Sequence, residues 1–490
     1  MFPQSGRLAA LRELRACFLI FLRIELITLN IIIAGGGKVG STVAEHLADE
    51  GHNVTIVDMS EQTLDRLSNQ MDVMCLRGSC VSRDVLIEAG AKESDVLIAA
   101  TASDEINLLS CHCAHNLGVP YTVARVRGTE YANDLDALKR DLGITMLINP
   151  ELESAVEISR LLRFPSASNI DTFARGRVEL ISFHIQEKDF LAGHSLASLS
   201  SKIQGLPVLL CTVERGDSVF IPNGSTVLAK DDRVYLVGTP NGIHQFFKLL
   251  GRQTHRIRSV FIIGGGRIAY YLMRQLEQQG MSCKVVERDS VRCRQLAEEF
   301  PHSLIIQGDG TDPELLDEER MTAADAFIAL TNRDEDNLII SLYAHQAGVA
   351  KVVAKSNRQN YTAIARSAGV ESVVSPKLAT AGQILRLVRG VQNSKGSAMT
   401  ALYRIAEGQA EAMEFVAAPT TQHLGIPLKE LRSKLRKGVL IAVIVRNGKV
   451  IIPEGSTTLE SGDNVIVVAR NSGILDLNDI YEGGVLNAGG

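Results

Sequence analysis

The sequence has no excess of positive charge, few cysteines and no long hydrophobic run, and each of these absences excludes a class of protein. Its 51 lysines and arginines stand against 56 aspartates and glutamates, which gives a formal net charge of −5. No strong positive field attracts nucleic acid or anionic lipid, so nucleic acid is not an expected partner. The eight cysteines lack the density and spacing of a disulfide framework, which fits a reducing cytoplasm.

One candidate targeting or membrane segment lies at the start of the chain. A short apolar run from Ala16 to Leu22 follows three arginines, and Arg23 and Glu25 interrupt it. A secretory signal needs an apolar stretch of about 7 to 15 residues with a cleavage site, and a spanning helix needs about 20 residues. Residues 1–29 are therefore predicted to be an N-terminal extension, with no function assigned to it.

The rest of the chain has the composition of a folded protein and contains two kinds of unit, each present twice. NIIIAGGGKVG at 30–40 recurs as SVFIIGGGRIA at 259–269, and IPNGST at 221–226 recurs as IPEGST at 452–457. A repeat of this length indicates a duplicated architecture. The chain is organised as A-B-A′-B′, and the predicted bounds are 30–150 and 258–378 for the A units and 165–250 and 398–482 for the B units.

Each A unit alternates short, β-branched apolar runs with amphipathic stretches. The apolar runs are typical of strands buried on both faces, and the stretches between them carry apolar residues three and four apart, as helices do. This alternation predicts an α/β fold with a doubly wound parallel sheet, the Rossmann architecture. Each B unit is about 80 residues with strands and one short helix, which predicts a small α+β domain.

Gly35, Gly37 and Gly40 stand where a predicted strand ends and a helix begins, a context that favours dinucleotide binding. Gly35 allows the tight turn, Gly37 lets a pyrophosphate approach the backbone, and Gly40 lets the helix pack against the strand. Asp58 ends the next strand, where its carboxylate can bond both ribose hydroxyls and repel a 2′-phosphate. This unit is predicted to prefer NAD-type ligands over NADP, and a tight loop without a ligand is the alternative.

The second A unit carries a weaker form of the same pattern. It has Gly264 and Gly266, alanine at Ala269 in the third glycine position, and Glu287 as the acid. Alanine is an accepted variant at that position. Packing alone could preserve these glycines, so occupancy of the second site is left open.

Two further pairs of matched residues end predicted strands. Thr101 and Thr331 end the fourth strands, and Arg125 and Lys355 end the fifth, at the sheet edge where ligands of such folds bind. Helix capping is the alternative for the threonines, and a surface salt bridge is the alternative for the two cations.

Neither a metal site nor a catalytic group is predicted. The run from Cys111 to Cys113, with His115, falls within a helix where positions i and i+2 do not face together. Neither B unit offers an acid or base for hydride transfer, so binding without turnover is the simpler interpretation. An NAD-dependent oxidoreductase and a scaffold with relic sites are the alternatives.

With these motifs in view, the chain resembles the TrkA-type regulatory subunits of bacterial potassium uptake systems, which are built from two tandem RCK units. The resemblance covers about 30–485. It rests on the doubled glycine loops, Asp58 and Glu287, the GDGT turn at 308–311, and the paired IPNGST and IPEGST segments. It implies that each A unit is a nucleotide-binding Rossmann domain (RCK N) and each B unit a small ligand-sensing domain (RCK C).

The resemblance also implies which residues contact the cofactor, NAD or NADH, with ATP and ADP as alternatives. The chain departs from the family pattern in its extension and at Ser79-Cys80-Val81-Ser82, where the second unit keeps an acidic turn. The implied contacts are Gly35, Gly36, Gly37, Lys38, Val39, Gly40, Asp58, Gly78, Ser79, Thr101, Ala102 and Arg125 in the first unit, and Gly264, Gly265, Gly266, Arg267, Ile268, Glu287, Gly308, Asp309, Thr331, Asn332 and Lys355 in the second.

The same resemblance implies a partner and a place of action. The partner is a membrane-embedded potassium transporter subunit of the TrkH or TrkG kind, and the chain is expected to form a homotetramer on the cytoplasmic face of the inner membrane. Nucleotide occupancy would change the angle between the A domains in a ring of chains, and the ring would pass that change to the transporter.

Overall fold

The computed structural model describes residues 28–128, 135–165, 167–252, 257–394, 399–470, 474 and 476–482. All but the last two residues of the predicted extension lie outside these ranges. No helix among the described residues combines the length and the apolar character needed to cross a bilayer.

The first half begins with a six-stranded parallel sheet in the order β3-β2-β1-β4-β5-β6. Its central strands are fully buried, as near-continuous apolar runs require in a sheet covered by helices on both faces. The strands are β1 (Asn30–Ala34), β2 (Asn53–Asp58), β3 (Met74–Arg77), β4 (Val96–Ala99), β5 (Tyr121–Arg125) and β6 (Met146–Ile148). The helices are α1 (Lys38–Asp49), α2 (Glu61–Gln70), α3 (Arg83–Glu88), α4 (Asp104–Asn116), α5 (Leu135–Asp141) and α6 (Pro150–Arg163).

A five-stranded antiparallel sheet follows, in the order β10-β9-β11-β8-β7. Its short helix begins at the capping residue Ser195, whose side chain accepts a hydrogen bond from the Ser198 amide. The elements are β7 (Asn169–Phe173), β8 (Val178–His184), α7 (Leu196–Ile203), β9 (Val208–Arg215), β10 (Ser218–Phe220), β11 (Arg233–Gly238) and α8 (Pro240–Leu249).

The second half repeats both sheets. Its parallel sheet has the order β14-β13-β12-β15-β16-β17, and its antiparallel sheet has the order β18-β19-β22-β20-β21. The elements of this Rossmann domain are β12 (Ser259–Ile263), α9 (Arg267–Gln278), β13 (Ser282–Glu287), α10 (Ser290–Glu299), β14 (Leu304–Gln307), α11 (Pro313–Glu318), β15 (Ala326–Ala329), α12 (Asp334–Gln346), β16 (Lys351–Lys355), α13 (Gln359–Ser367) and β17 (Ser372–Val374). Helix α14 (Pro376–Ser394) leads to the small domain, whose elements are β18 (Met399–Ile405), β19 (Ala410–Val416), α15 (Leu428–Leu431), β20 (Val439–Arg446), β21 (Lys449–Ile451) and β22 (Asn464–Arg470).

These orders confirm the predicted fold class: two Rossmann sheets, each followed by a small α+β domain. The repeat of strand order follows from the repeat of sequence pattern, because the same spacing of apolar runs and stop signals recurs in each half.

The halves are joined by an exchange of helices that the sequence pattern did not predict. Helix α6 leaves the first sheet and packs against α9 of the second half, while α14 packs against α1 of the first. Ile158 and Leu161 of α6 are buried in a core that the first small domain and the second Rossmann domain share, and Ile384 and Val388 of α14 are buried in the first half's core. Each such side chain contributes about 1.5–3 kcal/mol relative to exposure, so the exchange binds the two halves firmly.

The small domains are also joined, because their sheets share one apolar core. Phe173, Val178 and Val237 of the first pack with Ala412 and Val443 of the second. The Tyr403 hydroxyl donates to the Thr172 carbonyl across this contact at 2.7 Å. The four domains therefore form one connected body in which both Rossmann sheets contact the opposite half.

Candidate functional site

Each Rossmann sheet ends its first strand in a glycine loop. Gly35 has φ +103° and Gly264 has φ +93°, in the left-handed region that glycine adopts without strain. A Cβ on Gly35 would lie 2.9 Å from the Thr101 backbone nitrogen, and one on Gly264 would lie 3.0 Å from the Leu330 carbonyl carbon. Both loops therefore need glycine here because the backbone after the fourth strand passes so close.

The glycine that directly precedes each helix, Gly37 or Gly266, has a different setting. Gly37 and Gly266 are the N-cap residues of α1 and α9, and neither helix receives a side-chain capping bond there. Both glycines are exposed, with φ near −70° and −67°, and a Cβ on either would meet no protein atom within 4 Å. Nothing within the chain requires glycine at these two positions, whereas a phosphate group approaching the helix amides would.

The acids at the ends of β2 and β13 hold the glycine loops. Asp58 accepts hydrogen bonds from the Gly36 amide at 2.7 Å and the Ser60 amide at 2.8 Å. Glu287 accepts from the Gly265 amide at 2.7 Å and the Asp289 amide at 2.9 Å. An ionised carboxylate has about four acceptor sites, so each acid keeps capacity for ribose hydroxyls.

The turns that follow the third strand of each Rossmann sheet lie at the same sheet edge as the acids. The Gly78 amide donates to the Asp58 carbonyl at 3.1 Å, and the Gly308 amide donates to the Glu287 carbonyl at 2.9 Å. Ser79 and Asp309 follow these glycines. Asp309 accepts from the Thr311 amide and hydroxyl and pairs with Arg288 at 2.7 Å, and these contacts lower the pKa of the Asp309 carboxyl.

Thr101 and Thr331 do not cap their helices. In the first half Ser103 is the N-cap of α4, and the Thr101 amide and hydroxyl both donate to the Asn107 side chain, at 2.8 and 2.7 Å. Asn337 receives the same two bonds from Thr331, both at 2.8 Å. The N-cap residues are Ser103 and Arg333, two positions after the threonines, which lie at the crevice edge and are followed by the exposed Ala102 and Asn332.

Sequence reasoning missed the two buried asparagines. Asn107 and Asn337 are fully buried, and their amide nitrogens donate to the carbonyls of Arg125 and Lys355, at 2.8 and 3.1 Å. Each asparagine ties the end of the fourth strand to the end of the fifth. The available signal was their recurrence at the same place in both repeats, because a polar residue on a buried helix face needs hydrogen-bond partners.

Arg125 and Lys355 are not surface ion-pair residues. Lys355 is 9% exposed, and the Arg125 Nη2 donates to the Thr101 carbonyl at 2.6 Å. Burial lowers the pKa of both groups, so each is a cation held partly out of water at the sheet edge. The salt-bridge alternative is therefore wrong, and a phosphate that neutralised either charge would offset its desolvation.

The first turns of α1 and α9 hold the remaining predicted residues. Lys38 and Arg267 are exposed at the start of each helix, while Val39 and Ile268 are buried and pack into the cores behind the loops. Gly40 is buried as well, and a Cβ there would lie 1.9 Å from the Gly35 carbonyl oxygen. These residues therefore position the loop, and only Lys38 and Arg267 present side chains to solvent.

In the second half these elements enclose a cleft of about 250 Å³. The structure brings seven predicted residues together along its walls, and three charged residues that were not predicted also line it: Arg288, Arg333 and Asp336. The predicted residues are Gly264, Gly266, Glu287, Gly308, Asp309, Thr331 and Asn332.

The two sites lie close enough for their charges to interact. The charge of Arg267 acts on Arg125 of the opposite half, and the charges of Lys38 and Glu151 act on Lys355. Burial raises the pKa of Glu151, in the first turn of α6, and the nearby charges of Arg127, Arg267 and Arg125 oppose that shift. The first turn of the exchanged helix therefore lies near charged residues of both Rossmann domains.

The motif that suggested a metal has a structural role. Cys111 is fully buried in α4, and burial raises the pKa of its thiol. A Cβ on Gly143, which has φ +65°, would lie 2.4 Å from the His115 ring, so that histidine packs against a turn. Within the ranges given above, no three His, Cys, Asp or Glu side chains gather as a metal site.

Comparison with known proteins gives a consistent result. The TrkA-N domain model matches residues 31–150 and 260–376, and the TrkA-C domain model matches 180–251 and 412–481. The chain is 33% identical to the Trk system potassium uptake protein TrkA of Vibrio alginolyticus, over 90% of this chain and 96% of that one. It is 32% identical to the protein of that name from Halomonas elongata, over 93% and 99% of the two chains.

Solved structures share the fold. The RCK domain of the GsuK channel superposes with a TM-score of 0.58 at 19% identity, covering 91% of this chain and 93% of that one. The GsuK channel bound to NAD superposes with a TM-score of 0.59 at 19% identity, covering 91% and 77%. At this identity the likeness shows the shared fold alone.

Proposed function

Because the chain belongs to the TrkA family, whose domain models match both of its halves, we propose that it is a nucleotide-binding regulatory subunit that gates a membrane potassium uptake transporter. NAD or NADH is the proposed ligand, ATP and ADP are the alternatives, and both Rossmann domains bind. The role is regulatory, so the nucleotide is bound and released without turnover.

The observation that carries this proposal is the pair of glycines at the helix N-caps. Gly37 and Gly266 have unstrained backbones and open space where a side chain would start, at helix ends without side-chain caps. A pyrophosphate needs the backbone to be approachable at that position and takes hydrogen bonds from the helix amides. The acids beside the loops supply the acceptors for a ribose.

The helix exchange supports a route from ligand to transporter. Helix α6 begins beside the first site and packs along α9, which begins at the second glycine loop, and Asn149 donates to the Tyr271 hydroxyl at 2.9 Å across the contact. Phosphate charge at either loop acts on Arg125, Glu151 and Arg267 together. A ligand that prefers one arrangement of these groups shifts the angle between the Rossmann domains, and only such a preference can shift it.

The partner in this proposal is a TrkH- or TrkG-like potassium transporter subunit in the inner membrane. The chain acts on its cytoplasmic face as a homotetramer, whose ring turns a change of angle in each chain into one movement. The relatives are named as parts of the Trk potassium uptake system, which supports this choice of partner.

Equilibrium dialysis with NAD, NADH, ATP and ADP tests the binding half of the proposal. We expect two equivalents of NADH per chain, one of which is weakened about tenfold or more by Asp58→Ala and the other by Glu287→Ala, since each loses a charge-assisted acceptor. Binding of none of the four nucleotides would contradict the proposal.

Potassium uptake in cells lacking the gene tests the other half. The unchanged chain should restore uptake, and the double variant of Asp58 and Glu287 should not. Steady loss of absorbance at 340 nm with a substrate panel would instead identify an oxidoreductase, and uptake restored fully by the double variant would favour a scaffold.

A further inference from the structure

The two candidate sites differ most at the end where the ribose would lie. In the second site Arg288 follows Glu287, and Asp309 lines the same cleft just after the neighbouring strand β14. In the first site the matched residues are Met59 and Ser79, both uncharged. The backbone contacts of Asp58 and Glu287 are alike, so the difference at this end lies in the side chains that follow each acid and each turn.

Arg288 and Arg333 are exposed cations that line this cleft, and Arg288 is the one that follows the acid in the chain. The Arg288 side chain is 72% exposed and forms a 2.7 Å ion pair with Asp309. Arg292, by contrast, is committed to the glycine loop, because its Nε donates to the Gly265 carbonyl at 2.8 Å. A phosphate on a ribose bound beside Glu287 would therefore have Arg288 as a neighbouring cation.

The ion pair between Arg288 and Asp309 is weak enough for a bound phosphate to replace Asp309 as the partner of Arg288. Solvent-exposed pairs contribute little to stability, whereas a phosphate dianion offers a guanidinium two parallel charge-assisted bonds. In Rossmann folds the acid at the end of the second strand bonds the ribose 2′-hydroxyl and repels a 2′-phosphate, whereas a nearby arginine accommodates that phosphate. Glu287 alone would therefore exclude a 2′-phosphate, and the guanidinium of Arg288 beside it offsets that repulsion, while the first site has only the acid.

We propose that the residue after the acid sets the ligand class of each site, so that Arg288 lets the second site accept a dinucleotide with a 2′-phosphate and Met59 leaves the first selective for NAD or NADH. This inference rests on the proposed function and extends it. The two sites of one chain then report on two different nucleotide pools.

Equilibrium dialysis of the full chain with NADPH and, in parallel, NADH tests the inference. We expect two equivalents of NADH and one of NADPH for the unchanged chain. In Arg288→Met the ratio of NADPH to NADH affinity at the second site should fall about tenfold or more. Met59→Arg should gain a second equivalent of NADPH. Both positions are exposed, at 72% and 67%, so neither exchange should unfold the chain, which circular dichroism checks.

The results that would overturn this inference differ from those that would overturn the proposed function. NADH binding without any NADPH binding, an unchanged affinity ratio in Arg288→Met, or no added equivalent in Met59→Arg overturns the inference and leaves the proposed function standing. Binding of none of NADH, NADPH, ATP and ADP overturns both.

Discussion

The two halves of the chain share their backbone contacts and differ in their charges. Asp58 and Glu287 hold the glycine loops through the same amide bonds, and the Thr101–Asn107 pair recurs as Thr331–Asn337. By contrast, the side chains differ at the residues that follow Asp58 and Glu287 and at the residues around Glu371. The comparison teaches that contacts which shape the loops are repeated, while contacts at the surface have diverged.

One difference between the halves lies where each glycine loop packs against the helix that follows it. A Cβ on Gly40 would lie 1.9 Å from the Gly35 carbonyl oxygen, yet its counterpart Ala269 carries a Cβ and is fully buried. The second loop therefore sits far enough from its helix to leave room for a methyl group. The first loop is the more tightly packed of the two, and a substitution there has less room to relax.

The largest effect is expected from the asparagines that both halves share. Asn107→Ala leaves the Thr101 amide and the Arg125 carbonyl without their buried partner, and each unsatisfied group costs about 1–3 kcal/mol. We expect Asn107→Ala and Asn337→Ala each to lower the free energy of unfolding by about 3 kcal/mol. Urea titration measures this as a lower unfolding midpoint.

Asn116 provides the matched control for this prediction. It lies at the exposed end of the same helix, α4, and Asn116→Ala should change stability by about 0.5 kcal/mol or less. If only one of the two asparagine variants lost much stability, the link between the ends of the fourth and fifth strands would not be equally important in the two halves.

A smaller loss of stability is expected from substitutions at the two glycine loops, and it should differ between them. Gly40→Ala should cost about 2 kcal/mol through overpacking and should remove nucleotide binding at the first site, because the Gly35 carbonyl must move. The reverse exchange, Ala269→Gly, should cost about 1 kcal/mol through helix propensity and leave the loop in place. Urea titration and nucleotide counting measure the two effects. Equal binding losses in the two variants would contradict the proposed difference in packing.

The sequence predicted the fold because its signals are local and repeated. Strands β1 and β4 are continuous apolar runs, and each glycine loop sits between a strand and a helix, so the sheet type followed from spacing. Seven of the second half's candidate residues line one cleft, because the carboxyl ends of parallel strands meet at one edge of the sheet.

The helix exchange could not be predicted in the same way. Ile158 and Leu161 show that α6 has an apolar face, but an apolar face does not reveal which half it packs against. The burial of Lys355 was missed for a similar reason, because a lysine at a strand end is exposed unless distant elements cover it. Such facts depend on contacts between residues more than one hundred positions apart.

The smallest effect concerns the joint between the second Rossmann domain and the first small domain. His184 contacts Glu371 at 2.8 Å, and Ser168 donates to the other oxygen of that carboxylate. The residues that match Glu371 and His184 in the other halves of the repeats are Thr145 and Val416, which carry no charge. Burial acts to raise the pKa of Glu371, but the bond and charge of His184, the Ser168 hydroxyl and the charge of Arg233 outweigh it and lower the pKa to about 2.

A carboxyl whose pKa is lower in the folded chain stabilises above its ordinary value of 4.5 and loses that stabilisation as the pH falls toward about 2. Glu371 is 39% exposed, so solvent screening limits the contribution to about 1 kcal/mol. Urea titrations at pH 7 and pH 3.5 should therefore show a smaller loss of stability in Glu371→Gln than in the unchanged chain. Thr145→Val, at the uncharged position that matches Glu371, should leave the pH dependence as it is. An identical acid limb in all three proteins would mean that His184 and Glu371 do not pair in solution, and the positions of Glu371 and Thr145 would then be energetically alike.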